Sequence, residues 1–323
     1  MIRAVISVIV LSCAATLVAA QDLVLTSPID CSLGDDCYIQ QYVDHTKGKG
    51  VSDFRCSTLS YQRHKGTDFA LRTLNQMRKG VNVLASADGT VKSVRSGVED
   101  IIYSARNADA VRGRECGNGI VISHQNGWET QYCHMKNGSL KVRRGQKVRA
   151  GTVLGEIGLS GRTQFPHIHL SVRKNGKVID PFDPDGKITC GAPDKKGMWK
   201  NPLPYRAGGI LYVGFSDEIP TYKDVKSGRA AQTQLPSNAP AIVIFGFGFG
   251  AQKGDQMRLV LKGPTGTMLD KTIEVEKNQA QLFKAVGKRL SLERWPNGKY
   301  SGTVSLIRNG RVINTERTTI SVQ

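Results

Sequence analysis

Aromatic side chains make up only 7% of the 323 residues, and no long stretch carries a convincing apolar period of 3.6. That pattern excludes a helical bundle as the main architecture. Beyond residue 20 no segment is long and apolar enough to cross a bilayer, so no stable membrane insertion is expected. None of the cysteines stands in a C-x-x-C spacing, which argues against a thiolate zinc site. Acidic side chains are also short, 27 against 45 lysines and arginines, for a formal net charge of +18. A chain so basic concentrates on acidic surfaces. The positives are spread along the sequence and gather on no single helix, which argues against nucleic acid as the partner.

What is present points to export. Arg3 is the only charge in the first 20 residues, an apolar stretch runs from Ala4 to Val18, and Val18-Ala19-Ala20 forms a small-residue cleavage site before Gln21. Residues 1–20 therefore read as a secretory signal. A lipid anchor at Cys13 is the alternative, although Leu11 fits poorly two residues before it. Removing Cys13 leaves Cys31, Cys37, Cys56, Cys116, Cys133 and Cys190. An even number in an exported chain implies disulfides, and six cysteines allow fifteen pairings. Cys116 and Cys133 flank one hairpin and are expected to pair. Cys31 with Cys37 closes a local loop, which leaves Cys56 with Cys190 by elimination. The location is a periplasm or the extracellular space, where the charge suits acidic envelope polymers.

The 35 glycines help to punctuate a β-rich chain. Asp88-Gly89, Asn126-Gly127, Asn175-Gly176, Asn297-Gly298 and Asn309-Gly310 each separate alternating or β-branched runs, the strongest short-range hairpin signal. The sequence reads as a lead-in segment over 21–59, a first β domain over 60–189, a linker rich in Pro, Gly and Lys over 190–204, and a C-terminal β-sandwich over 205–323, immunoglobulin-like in its strand spacing. In the last part, "AIVIFGFGFG" alternates Phe245, Phe247 and Phe249 with glycines. Three rings then share one strand face. They are read as filling the sandwich interior, with a stacking surface for glycan as the alternative.

The chemistry lies in six histidines. "HKGTD" sets His64 four residues before Asp68, with Gly66 between them to bend the chain. "QYCHM" ends a hairpin strand on His134, and "HIHL" puts His167 and His169 on one face of a strand. Two imidazoles and a carboxylate are a zinc set with a fourth position for water, and zinc lowers the pKa of water and polarises a carbonyl. Two further histidines beside such a site can handle protons. His124 and His45 are read as structural, and Trp128 and Tyr132 as packing.

In this order and spacing the motifs resemble the lysostaphin/LytM-type zinc endopeptidases, which cut peptidoglycan. "HKGTDFAL", "GNGIVISHQNGWETQYCHM" and "VRRGQKVRAGTVLGEIGLSG" followed by "PHIHLSV" carry the resemblance. It implies an all-β fold with an antiparallel β-sheet groove, Zn2+ held by His64, Asp68 and His169, His134 and His167 as catalytic groups, and peptidoglycan as partner and substrate. Two other readings stay open. One is a non-catalytic LytM-like scaffold that activates other wall hydrolases, although such proteins typically lose metal ligands and none is lost here. The other is a glycan-binding protein whose function lies in the sandwich, which is otherwise expected to target or position the enzyme.

Overall fold

The computed structural model describes residues 23–188, 190 and 197–323. The expected signal, Cys13 and part of the expected linker lie outside the described residues. In chain order the first strands are β1 (Cys37–Gln41), β2 (Thr67–Leu71), β3 (Asn82–Leu84), β4 (Gly89–Arg95) and β5 (Asn118–Ser123). They are followed by β6 (Trp128–Met135), β7 (Lys147–Val148), β8 (Val153–Glu156), β9 (His167–Lys174) and β10 (Lys177–Ile179). All but β3 and β8 form one antiparallel sheet in the order β1-β2-β9-β6-β5-β4-β7, with β10 beside β9. Phe69, Ile120, Ile122, Tyr132, Ile168 and Leu170 face one side and build the first core. The alternating residues between them are free to line the other face.

The second half contains β11 (Gly209–Ser216), β12 (Gln234–Leu235), β13 (Ala241–Ala251), β14 (Gln256–Gly263), β15 (Gly266–Glu274), β16 (Gln279–Arg289), β17 (Gly298–Arg308) and β18 (Arg311–Val322). Two sheets result, β11-β13-β16 and β12-β18-β17-β14-β15. They enclose Ile242, Ile244, Leu259, Val304, Leu306 and Trp295 as a separate core. Consecutive strands that divide between two sheets in this way make an immunoglobulin-like sandwich. The chain is all-β apart from three short α-helices, α1 (Leu74–Lys79), α2 (Ala108–Val111) and α3 (Tyr222–Ser227), and two 3-10 turns, Ala105–Asn107 and Gln125–Gly127, among the described residues. None is long and apolar enough to cross a membrane.

Three of the five turn dipeptides close hairpins. Asn126-Gly127, Asn175-Gly176 and Asn309-Gly310 all have positive φ at both residues and join the paired strands β5–β6, β9–β10 and β17–β18. This is the type I′ geometry that suits twisted strands. The other two expectations are corrected. Asp88-Gly89 joins β3 to β4, but β3 pairs with β8 and β4 pairs with β5 and β7. Asn297-Gly298 precedes β17, whose partners lie in the opposite sheet from β16. A turn signal marks a change of direction, and the pairing is decided by which apolar faces must be buried.

All three expected disulfides form: Cys31–Cys37, Cys56–Cys190 and Cys116–Cys133. The lead-in is more than a stapled approach, because it supplies the edge strand β1. The linker reading of 190–204 is corrected where that stretch is described. Met198 and Trp199 are buried in the first core, and the backbone N–H of Leu25 donates to the Met198 carbonyl at 2.8 Å. The area a buried tryptophan removes from water outweighs a turn-like composition around it.

The reading of Phe245, Phe247 and Phe249 as sandwich interior is also corrected. Ile242 and Ile244 point into the sandwich, and so does Gly246, where a β-carbon would lie 2.7 Å from Val304 Cγ1. The three rings point the other way. They are buried against Tyr38 and Ala70 of the first sheet, together with Leu211 and Val225. The glycan-stacking alternative fails for the same reason, since all three rings are buried. Phe247 is 1% exposed at this junction. Phe247→Ala is expected to cost about 3–5 kcal/mol of stability. Urea unfolding checks it, and a cost below about 0.5 kcal/mol, typical of a surface position, would show that the junction is not packed.

Candidate active site

Asp68 stands directly opposite His169 across the β2–β9 ladder, and Ala70 stands opposite His167. Facing residues on antiparallel strands project to the same side, with Cβ atoms about 4.5–5.5 Å apart. Strand pairing alone therefore gathers Asp68, His167 and His169 on the face away from the core. His169 Nδ1 lies 2.8 Å from Asp68 Oδ1. His64 arrives from the loop before β2, which bends at Gly66, and its Nε2 lies 3.1 Å from the same oxygen and 3.0 Å from His169 Nδ1.

His134 reaches this face by a different device. Tyr132 points into the core, so simple alternation would send His134 there as well. The register between β5 and β6 shifts, however. Asn118 pairs with Met135 and Ile120 with Tyr132, which leaves one extra residue on β6. His134 carries φ +65° at this bulge. A bulge re-aims the side chain that follows it, and both Cys133 and His134 now line the open face. Gly119 lies across from the bulge, where a β-carbon would sit 2.6 Å from the Tyr132 carbonyl oxygen and 2.9 Å from Cys116 Sγ. The Cys116–Cys133 disulfide closes beside it.

Three of the four imidazoles are oriented by a backbone carbonyl. His64 Nδ1 donates to the Tyr42 carbonyl at 2.7 Å, His134 Nδ1 to that of Ser160 at 2.8 Å, and His167 Nδ1 to that of Phe165 at 2.9 Å. A carbonyl only accepts, so Nδ1 carries a proton in all three rings, and in the neutral form of each ring Nε2 keeps its lone pair. Burial, with His167 and His169 nearby, pushes the His134 imidazolium well below its usual range, and burial pushes His167 down as well. Both rings are neutral acceptors. Burial would push the Asp68 carboxyl up, but the imidazoles of His64, His167 and His169 around it hold it well below the usual carboxylate range.

The donors fit a metal ion. His64 Nε2, Asp68 Oδ1 and His169 Nδ1 converge within hydrogen-bond distance of one another, and they form a candidate metal-binding group. Ligand bonds of about 2.0–2.2 Å at a tetrahedral zinc ion would space donor atoms roughly 3.3 Å apart, close to the separations found here. The His64 tautomer fixed by Tyr42 leaves the donor nitrogen unprotonated, as a ligand must be.

These side chains sit in a groove of about 710 Å³ whose walls include Tyr61, Tyr103, Arg162, Gln41 and Ala280. Tyr61 stacks on His64 with ring centroids 4.2 Å apart. The sequence reading missed the orienting carbonyls of Tyr42, Ser160 and Phe165. No signal could have found them, because any residue type supplies a carbonyl. The remaining readings stand apart from the groove. His124 bridges the Asp88 carbonyl and Thr130 Oγ1, Trp128 and Tyr132 pack in the core, and the Tyr132 hydroxyl accepts from the Ser86 N–H. His45 Nε2 lies 2.7 Å from Asp180 Oδ2 and ties the lead-in to the stretch after β10. Burial would lower its pKa, but the Asp180 carboxylate raises it above the usual imidazole value.

The resemblance drawn from these residues is borne out. Residues 62–181 match the model of Peptidase family M23. The chain is 32% identical over 124 residues to the DD-carboxypeptidase/endopeptidase Mpg of Neisseria meningitidis serogroup B, covering 38% of this chain and 23% of that protein. It is 29% identical over 133 residues to the peptidoglycan DD-endopeptidase ShyA of Vibrio cholerae, covering 41% and 25%. The chain thus spans about a quarter of the length of these curated relatives. Among solved structures, the catalytic domain of the prophage-encoded M23 protein EnpA from Enterococcus faecalis aligns with a TM-score of 0.32 at 24% identity, over 50% of this chain and 96% of that one.

The bulge makes a specific demand on Gly119. Gly119→Ala should push β5 away from β6 and displace His134, while His64, Asp68 and His169 on the neighbouring elements keep their places. Activity is expected to fall by about 10²-fold with divalent-metal binding retained, as read by turnover and by titration calorimetry. Unchanged turnover would show that the bulge does not position His134.

Proposed function

We propose that this protein is a zinc-dependent endopeptidase that hydrolyses peptide bonds in peptidoglycan stem peptides or cross-bridges. The observation that carries the reading is the convergence of His64, Asp68 and His169 with two further neutral imidazoles in one open groove. A scaffold protein has no use for His134 and His167, each with its Nδ1 pinned to a backbone carbonyl. The names of the relatives Mpg and ShyA, a DD-carboxypeptidase/endopeptidase and a DD-endopeptidase, support a DD linkage as the bond cut. The D-alanyl–diaminopimelate cross-link is the natural candidate for an exported protein with three disulfides. Peptidoglycan carboxylates also suit a chain of net charge +18.

His64, Asp68 and His169 would hold the zinc ion. When bound, the ion supplies Lewis acidity, polarising the scissile carbonyl and acidifying water. The other steps belong to the side chains. The neutral Nε2 of His134 or His167 takes a proton from the attacking water, since its Nδ1 proton is already given to the Ser160 or Phe165 carbonyl. The ring so charged becomes a donor beside the substrate oxygen on which negative charge develops. It then passes the proton to the leaving amine. Asp68, held ionised, favours the charged form of either imidazole during that exchange. His167 Nε2 is 3.5 Å from Asp68 Oδ1, so it feels this effect directly.

Two sets of variants separate binding from chemistry. His64→Ala, Asp68→Ala or His169→Ala should each strip the metal, because a three-ligand site loses most of its affinity with one ligand. Full zinc occupancy by elemental analysis of purified His169→Ala would refute the ligand assignment. His134→Ala and His167→Ala should keep zinc and lose on the order of 10² to 10⁴ in rate. Digestion of defined muropeptides, with the products weighed by mass spectrometry, reads both the rate and the bond cut. A zinc-loaded parent that cuts none of them would favour the non-catalytic scaffold.

A further inference from the structure

The sheet face that carries Asp68, His167 and His169 does not run out into solvent at its β1 edge. Two residues along β2 from Asp68 stands Ala70, opposite Tyr38 on β1 and His167 on β9. This end of the face is covered by the sandwich. Phe249 packs on Tyr38 with ring centroids 4.6 Å apart, inside the buried cluster that also holds Ala70, Phe245 and Phe247. Phe165 packs against the same cluster, and its ring stacks on His167 with centroids 4.4 Å apart.

Polar contacts also fix the junction. Gln40 Nε2 donates to the Ala280 carbonyl at 2.7 Å, and Gln281 Nε2 donates to the Tyr38 hydroxyl at 3.1 Å. Lys226 Nζ, from α3 of the sandwich, donates at 2.9 Å to the carbonyl of Gln164 in the loop that leads into His167. Ala280 and Gln164 both line the groove that holds the histidines. Parting the two halves would uncover Tyr38, Ala70 and the Phe249 ring, while Phe245 and Phe247 also pack on Tyr212 of the sandwich itself. That is a packed core contact, unlike the polar and mobile interface usual between tethered domains.

We propose that the C-terminal sandwich is a fixed wall of the substrate groove, which determines how the peptide on the Ala280 side of the scissile bond can lie. It is thus a specificity element of the catalytic unit and not only a device for attachment. The inference rests on the peptidase reading for its ligand, a cross-linked wall peptide. The wall itself is tested by occupancy, which does not require turnover.

The test places a thiol on the wall. All six cysteines among the described residues are disulfide-bonded, so Ala280→Cys in the full chain supplies a reporter for a maleimide. Leu292→Cys, 64% exposed and beyond the opposite end of β16, is the control. With a soluble cross-linked muropeptide dimer at about ten times its Kd, labelling of Ala280→Cys is expected to slow about tenfold while that of Leu292→Cys does not change. Separately, Ala280→Trp should raise KM for the dimer by about tenfold with a much smaller change in kcat, as expected when ground-state binding is lost. Unprotected labelling of Ala280→Cys, or equal slowing at both positions, overturns the proposal whether or not the protein cuts the dimer. Protection at Ala280→Cys in a protein whose unmodified form shows no turnover would sink the peptidase reading and leave the wall standing.

Discussion

The pairing of β2 with β9 is the contact on which the site depends. It sets Asp68 across from His169 and Ala70 across from His167. A slip of one residue would turn every imidazole on β9 into the core and bring Ile168 and Leu170 to the surface. The burial of Phe69, Ile168, Leu170 and Val172 prevents that slip. The same hydrophobic energy that stabilises the sheet therefore holds Asp68 within hydrogen-bond reach of His169 and 3.5 Å from His167. Around this pairing the other groups are added singly: His64 from a bent loop and His134 from a bulge.

The site is also assembled from parts far apart in the sequence, each acting through a backbone atom or a packed ring. The Tyr42 carbonyl in the lead-in fixes the His64 tautomer, and the Phe165 carbonyl fixes that of His167. The Cys56–Cys190 disulfide spans 134 residues and ties the lead-in to the far end of the first core. Closing so long a loop removes much of the entropy of the unfolded chain. Neutral imidazoles in a buried cluster need this rigidity, since their acceptor nitrogens are useful only where they point.

The sandwich has a dual character. Its two sheets enclose their own core, yet its β13 strand uses both faces. The glycine side admits Val304 from the opposite sheet, and the phenylalanine side seals against Tyr38 and Ala70. Alternating Phe and Gly is thus the pattern of a strand buried on both sides with unequal space available. The histidine-bearing face and the sandwich share this seam, which makes one continuous structure of two differently folded halves.

Much of this was legible in the sequence. The two β-rich halves, the five-residue set of His64, Asp68, His134, His167 and His169, the local cystines Cys31–Cys37 and Cys116–Cys133 and three of the hairpins follow from residue types with strong local meaning, whereas Cys56–Cys190 was left only by elimination. An imidazole or a carboxylate is costly to bury unless it is paired, and Asn-Gly takes positive φ at both residues where a tight hairpin needs it, as at Asn126, Asn175 and Asn309, though not at Asn118 or Asn297. Tertiary structure alone decided the rest. It turned His134 onto the groove by a bulge, because the register between β5 and β6 depends on pairings summed along both strands. It buried Trp199 in a stretch that reads as linker. It also aimed three phenylalanines at the other half of the molecule, because alternation shows that a strand has two faces but not which neighbour will cover each one.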